Sequence, residues 1–119
     1  MNPTDVVITG IGIVSSLGLG TDAHWQALTK REPVPVVDFE RFSPYIVHPL
    51  PEIDWSTQIP KRGDQRQMET WQRLGTYTAG LALEDAGIKE EEELCASMDM
   101  IVAAGGGERD VAVDQAILE

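Results

Sequence analysis

Val6-Val7-Ile8 is the first apolar run of the chain, set between Asp5 and Thr9-Gly10. Three β-branched apolar residues in succession predict a strand buried on both faces. Ile11 to Ser16 continues it, and the glycines at 10 and 12 predict a bend or bulge. Gly18-Leu19-Gly20 reads as a turn. A helix is expected from Thr21, with Thr21 as cap, Asp22 in the first turn and Trp25 and Leu28 on one face. It should stop near Arg31, before Pro33. The strongest helical pattern runs from Asp64 to Ala86. Met68, Trp71, Leu74, Gly75, Thr78, Leu81, Ala82 and Ala86 recur there at helical spacing, and Gly87 follows as a left-handed stop. Met98 to Ala104 predicts a second buried strand. Gly105-Gly106-Gly107 comes next, then a helical pattern from Asp110 that is still in progress at Glu119.

Residues 33–60 break this alternation. Six of the seven prolines fall there, with both phenylalanines, Tyr45 and Trp55. The stretch is too apolar for a free linker and too rich in proline for a long helix. An ordered excursion lying against the main body is expected. Two strands buried on both faces cannot cover each other, and an α/β layer needs more strands than these. The chain therefore reads as one segment, 1–119, of a larger α/β domain. Its end in mid-pattern looks cut.

Charge narrows the function classes. The 119 residues carry 20 acidic and 9 basic side chains, a formal net of -11. Nucleic acid and anionic membrane surfaces repel such a chain. A single cysteine excludes an internal disulfide and a multi-cysteine metal site, which fits a reducing cytoplasm. No basic leader or membrane-length apolar run is present.

Most chemical motifs fail on inspection. Gly10-Ile11-Gly12-Ile13-Val14-Ser15 resembles a dinucleotide fingerprint, but the expected helix does not begin inside it and Asp38 lies in the excursion. The Gly105–Gly107 run could cradle an anion, yet Glu108-Arg109-Asp110 follows instead of a phosphate-binding Lys-Ser/Thr. Cys95 follows four consecutive glutamates, which disfavour a thiolate. His24 and His48 lack a His or Cys partner at metal spacing. No cofactor, metal ligand set or catalytic residue is therefore assigned. Lys61, Arg62 and Arg66 stand apart, because a third of the basic residues fall within six positions at a helix N-terminus, where cations are mildly unfavourable. Two readings are open: a docking patch for an anionic partner, or solubilising charge neighboured by Asp64 and Glu69.

Taken in order, these segments resemble the N-terminal part of a β-ketoacyl-acyl-carrier-protein synthase. Val6 to Ser15 is similar to the family's opening V-V-I-T-G-x-G-x-x-S strand. Gly18, Trp25 and Leu28 match the turn and helix that follow. Gln65-Arg66-Gln67-Met68-Glu69 resembles its Q-R-K-M-D stretch, and Ala79 to Ile88 its A-x-x-A-L-x-D-A-G-[LI] ending. Met100 to Gly107 resembles the second strand with its glycine turn. The resemblance implies a thiolase-like layered αβαβα fold, incomplete in this chain, and a homodimer or a partner ketosynthase subunit. It implies decarboxylative Claisen condensation of an acyl thioester with malonyl-carrier protein, in fatty-acid or polyketide assembly. The family's cysteine, two histidines and lysine lie beyond the matched stretch, so the chain is expected to be inactive by itself. The carrier-docking role comes to Arg66 directly and to Arg62 as a flanking basic position, with Lys61 adjacent. Gly63 stands where the family often has another basic residue. Glu108-Arg109-Asp110 and Trp71-Gln72-Arg73-Leu74 also depart from its pattern. These departures leave open a non-catalytic, chain-length-factor-like subunit of the same fold.

Overall fold

A computed structural model describes residues 1–105 and 110–118. In chain order it contains β1 (Val14–Ser15), β2 (Gly18–Leu19), α1 (Gly20–Leu28), a 3-10 turn (Trp55–Thr57), α2 (Arg62–Gln67), α3 (Thr70–Asp85), α4 (Glu92–Ser97) and α5 (Val111–Leu118). Most of this ordered structure is helical. β1 and β2 form a two-stranded antiparallel hairpin, with Val14 opposite Leu19 and Ser15 opposite Gly18. Gly18 and Gly20 take φ of 137° and 82°, which only glycine adopts without strain, and so close the hairpin onto α1.

The long helix expected from Asp64 to Ala86 is two helices. Met68 is extended (φ -95°, ψ 139°), and Glu69 and Gln72 form a capping box that starts α3 afresh. The Gln72 side chain accepts the Glu69 N–H at 2.8 Å. At the other end Gly87 is left-handed (φ 72°); its N–H bonds to Glu84 O, and that of Ile88 to Leu83 O. This is the expected glycine stop, in Schellman form.

The excursion is ordered at its base and open at its tip. Asp38 and Val47 form an isolated antiparallel bridge, and the Asp38 carboxylate accepts the N–H groups of Glu40 and Arg41. Further on, Trp55 meets Tyr77 of α3 edge to face, with ring centroids 5.9 Å apart. Among the described residues Tyr77 and Ile59 are the buried apolar ones, 6% and 4% exposed. By contrast Phe39, Phe42, Tyr45 and Ile46 remain exposed, so this part of the excursion does not lie against the body as expected.

Both strands predicted as buried need correction. Residues 5–10 and 98–104 are in no strand, and Val6, Ile8 and Ile101 are 97%, 84% and 97% exposed. A strand buried on both faces needs ladder partners at its edges and a layer on each face. The described residues supply one layer only, α3. The bulge region packs on it: a Cβ on Gly10 would lie 2.8 Å from Ala86 Cβ, and one on Gly12 would lie 2.8 Å from Ala82 N. The Ile11 N–H donates to Asp85 Oδ2 at 2.9 Å in place of a ladder bond. α1 shows the same lack of cover. It begins at Gly20 with no side-chain cap, not at a Thr21 cap, and Trp25 and Leu28 are exposed. The Cα radius of gyration is 17.9 Å, against about 13–14 Å for a closed domain of this length. The outcome is a partial fold. Helix α5 falls where the pattern placed it. The glycine turn expected at 105–107 and its charged sequel lie, at 106–109, outside the described residues.

This packing makes two glycines of one chain behave oppositely. Gly12→Ala should destabilise by about 1–3 kcal/mol, because its Cβ would press into the α3 backbone. Gly75→Ala, with open space at its Cβ, should stabilise by up to about 1 kcal/mol through helix propensity. Urea denaturation of the two variants checks this; equal effects would contradict it.

Candidate carrier-docking surface

Lys61, Arg62 and Arg66 lie on and beside α2, not at the start of the long helix as expected. Lys61 is the N-cap residue of α2, while Arg62 and Arg66 are one turn apart on a common face. All three are exposed. Gly63 between them has nothing within 4 Å of a Cβ, so the surface there is open. The helix is tied down on its other side, where Gln65 Nε2 donates to the carbonyl of buried Ile59 at 2.6 Å.

Among the described residues the ion pair is Lys89–Glu84 at 2.7 Å, so no carboxylate within 4 Å holds any of the three cations. Glu69, one of their two acidic neighbours in sequence, is already engaged. It accepts α3 backbone in the capping box and the Trp71 indole N–H at 2.7 Å. The arrangement is a small patch of unpaired positive charge on a chain of net charge -11. It can attract an anionic partner locally while the whole molecule repels it.

Other polar contacts were not foreseen from the sequence. Arg73, in the first turns of α3, lies over the Trp55 ring at 5.6 Å, and its Nε is buried without a hydrogen-bond partner. Gln58 lies over Gly80 and donates to Glu84 at 2.9 Å. His24, 6% exposed, bonds to Ser15 and to the Gly20 carbonyl. No spacing rule links residues 15 and 24, or 55 and 73; the hairpin and the excursion bring them together. His48 Nδ1 bonds to the Val36 carbonyl at 2.8 Å. Cys95 is half-buried on α4, and its thiol donates to Ile88 O at 3.4 Å. The described His, Cys, Asp and Glu side chains form no group that could hold a metal ion. Gly10 and Gly12 are covered by α3 and offer no phosphate cradle. A trough of about 1230 Å³ runs between α3 and residues 100–105, lined by Gly12, Met68, Trp71, Leu74, Ala82 and Ile101 among others. No described helix is long and apolar enough to cross a membrane.

With this geometry in hand, comparison with known proteins identifies the family. The model of the β-ketoacyl synthase N-terminal domain matches residues 3–117. The chain belongs to the β-ketoacyl synthase family. It is 26% identical over 115 residues to 3-oxoacyl-[acyl-carrier-protein] synthase 2 of Vibrio harveyi, covering 93% of this chain and 28% of that protein. It is 32% identical over 111 residues to the tetracenomycin polyketide synthase ketoacyl synthase beta subunit of Streptomyces glaucescens, covering 88% and 26%. The synthase 2 of Vibrio cholerae serotype O1 is 27% identical over 111 residues, covering 90% and 27%. The chain thus spans about a quarter of the length of these relatives. No solved structure matches significantly.

Glu84 provides a pH test of the seam between the excursion and α3. Its hydrogen bonds from Lys89 and then Gln58 hold its carboxyl below the usual 4.5. A depressed carboxyl stabilises the fold above its unfolded value and loses that contribution as pH falls through its folded one. The effect should be small, since the Glu84 side chain is 47% exposed. Melting temperature should fall as pH drops below about 4.5, and Glu84→Gln should flatten that part of the profile. An unchanged profile would contradict the contact.

Proposed function

We propose that this chain is the N-terminal segment of a 3-oxoacyl-[acyl-carrier-protein] synthase. The full body would be a thiolase-like layered αβαβα fold, working in the cytoplasm as a homodimer or with a partner ketosynthase subunit. The observation that carries this reading is the family match over residues 3–117. Two uncovered apolar runs, Val6 to Ile8 and Met100 to Val102, are consistent with it, since each has the composition of an internal strand. The reaction is decarboxylative Claisen condensation of an acyl thioester with malonyl-carrier protein, serving fatty-acid or polyketide assembly. In this reading the nucleophilic cysteine, the histidines that promote decarboxylation and the oxyanion-binding N–H groups come from sequence beyond this segment. Purified alone, the chain should neither condense nor decarboxylate malonyl thioesters and should self-associate through its exposed apolar surface. Decarboxylation by the isolated chain, lost in Cys95→Ala, would overturn the division of labour.

Carrier protein is the partner this reading assigns to Lys61, Arg62 and Arg66. Carrier proteins are acidic along one helix and bear a phosphopantetheine phosphate. The unpaired cations on α2 are suited to that chemistry, and the free face at Gly63 leaves them accessible. Exposed pairs contribute roughly 0–1 kcal/mol each, so no single residue should dominate. Reversing Arg62 and Arg66 to Glu in the complete synthase should weaken carrier binding about tenfold at low salt, with the defect shrinking as ionic strength rises. Unchanged carrier affinity, or equal loss with a carrier-free thioester, would make the patch ordinary surface charge.

A second reading is a non-catalytic subunit of the same fold. The 32% identity to a ketoacyl synthase beta subunit favours it. A cysteine at a strand-to-helix turn in the downstream sequence would exclude it.

A further inference from the structure

Ser15 and His24 form a pair that the carrier-docking role does not use. Ser15 ends β1 and is half-buried; His24 lies in α1 and is 6% exposed. Ser15 Oγ and His24 Nε2 are 2.6 Å apart, a short hydrogen bond. The other ring nitrogen, Nδ1, is 2.7 Å from Gly20 O. A carbonyl oxygen only accepts, so Nδ1 is the donor, and the tautomer this selects turns the Nε2 lone pair toward the serine hydroxyl. The Ser15 hydroxyl donates to that lone pair while Oγ accepts the Leu17 N–H at 3.1 Å. A nucleophile within hydrogen-bond reach of a base, with a third group orienting the base, is the arrangement that activates serine.

The surroundings hold the pair in place. Gly18, at φ 137°, turns the hairpin so closely onto α1 that a Cβ there would lie 2.8 Å from Ala23 Cβ. Gly20 N–H bonds to Ile13 O at 2.8 Å, which ties the first residue of α1, whose carbonyl meets His24, back to the hairpin. His24 is held in this position by both ring nitrogens and by burial.

We propose that Ser15 is an activated nucleophile, with His24 as its base, that accepts an acyl group from an activated ester or thioester. Ser15 Oγ bonds to the carbonyl carbon as its proton passes to His24 Nε2. Collapse of the tetrahedral adduct breaks the carbon–oxygen or carbon–sulfur bond. The departing alcohol or thiol takes the proton back from Nε2, and Ser15 is left as an ester. The orienting group is a backbone carbonyl without the full charge of a carboxylate, so one slow acylation per chain is expected rather than turnover. The proposal is independent of the carrier-docking reading.

The test treats the folded, full chain with a fluorophosphonate probe and maps the adducts by mass spectrometry. Attack by Ser15 forms an oxygen–phosphorus bond and expels fluoride. Ser15 should be labelled at least tenfold faster than Ser16, which lacks the histidine contact, and the difference should vanish in urea. His24→Gln should slow Ser15 labelling by about a hundredfold or more. If that variant does not fold, as a thermal melt would show, the Ser15 to Ser16 ratio in the unaltered chain decides. Preincubation with S-phenyl thioacetate should block the probe and add an acetyl group to Ser15. Labelling of Ser15 no faster than Ser16, an undiminished rate in folded His24→Gln, or no acetyl transfer to Ser15 would overturn the proposal and leave the pair as a latch on the hairpin.

Discussion

The close approach of residues 10–12 to helix α3 is the constraint on which the rest of the arrangement hangs. Thr78 and Ala82 of α3 and its C-cap residue Ala86 form a stripe at i, i+4 and i+8, and Gly10 and Gly12 lie against it with no space for a Cβ. Asp85 then takes the Ile11 N–H that a ladder would otherwise satisfy. From this contact the chain leads directly into the β1–β2 hairpin and α1, so the Ser15–His24 pair is carried on the same anchored segment. On its other flank α3 receives the excursion through Trp55 and Gln58, and the carbonyl of buried Ile59, next along the chain, holds α2 through Gln65. The basic residues are thus presented from a helix fixed at one point to the main seam.

Much of the helical content was legible in the sequence. The spacing of apolar and small residues placed the body of α3 and of α5, and Gly87 marked where α3 ends. The division of the long helix was missed because Glu69 and Gln72 look like ordinary polar helix residues; only their reciprocal bonds reveal a start. The two strands failed for a different reason. Val6-Val7-Ile8 and Ile101-Val102 do have strand composition, but pairing depends on what lies beside them, and no periodicity supplies a neighbour. Glycines 10 and 12, read as a kink, have a larger task as the surface on which α3 sits.

Of the candidate site, the clustering of Lys61, Arg62 and Arg66 was visible, whereas their freedom from acidic partners was not. It depends on Glu69 turning toward α3 and the Trp71 indole. The Ser15–His24 contact was invisible because it joins an apparent strand residue to an apparent surface histidine across a glycine turn. This member of the β-ketoacyl synthase family combines a helix built for close packing, extended apolar segments without cover among the described residues, and a basic patch on an acidic chain. The chain spans about a quarter of the length of the relatives it matches.

Amide hydrogen exchange of the chain tests this account most directly, because it reads each backbone donor separately. The Ile11 amide, held by Asp85, and the central α3 amides should be protected together, and Asp85→Ala should release the Ile11 amide while central α3 amides stay slow. Amides of residues 6–8 and 100–102, which have no partner among the described residues, should exchange at nearly unfolded rates. Strong protection of both extended segments with a freely exchanging Ile11 would contradict it, since the organising contact would then be a strand ladder and not the seat on α3.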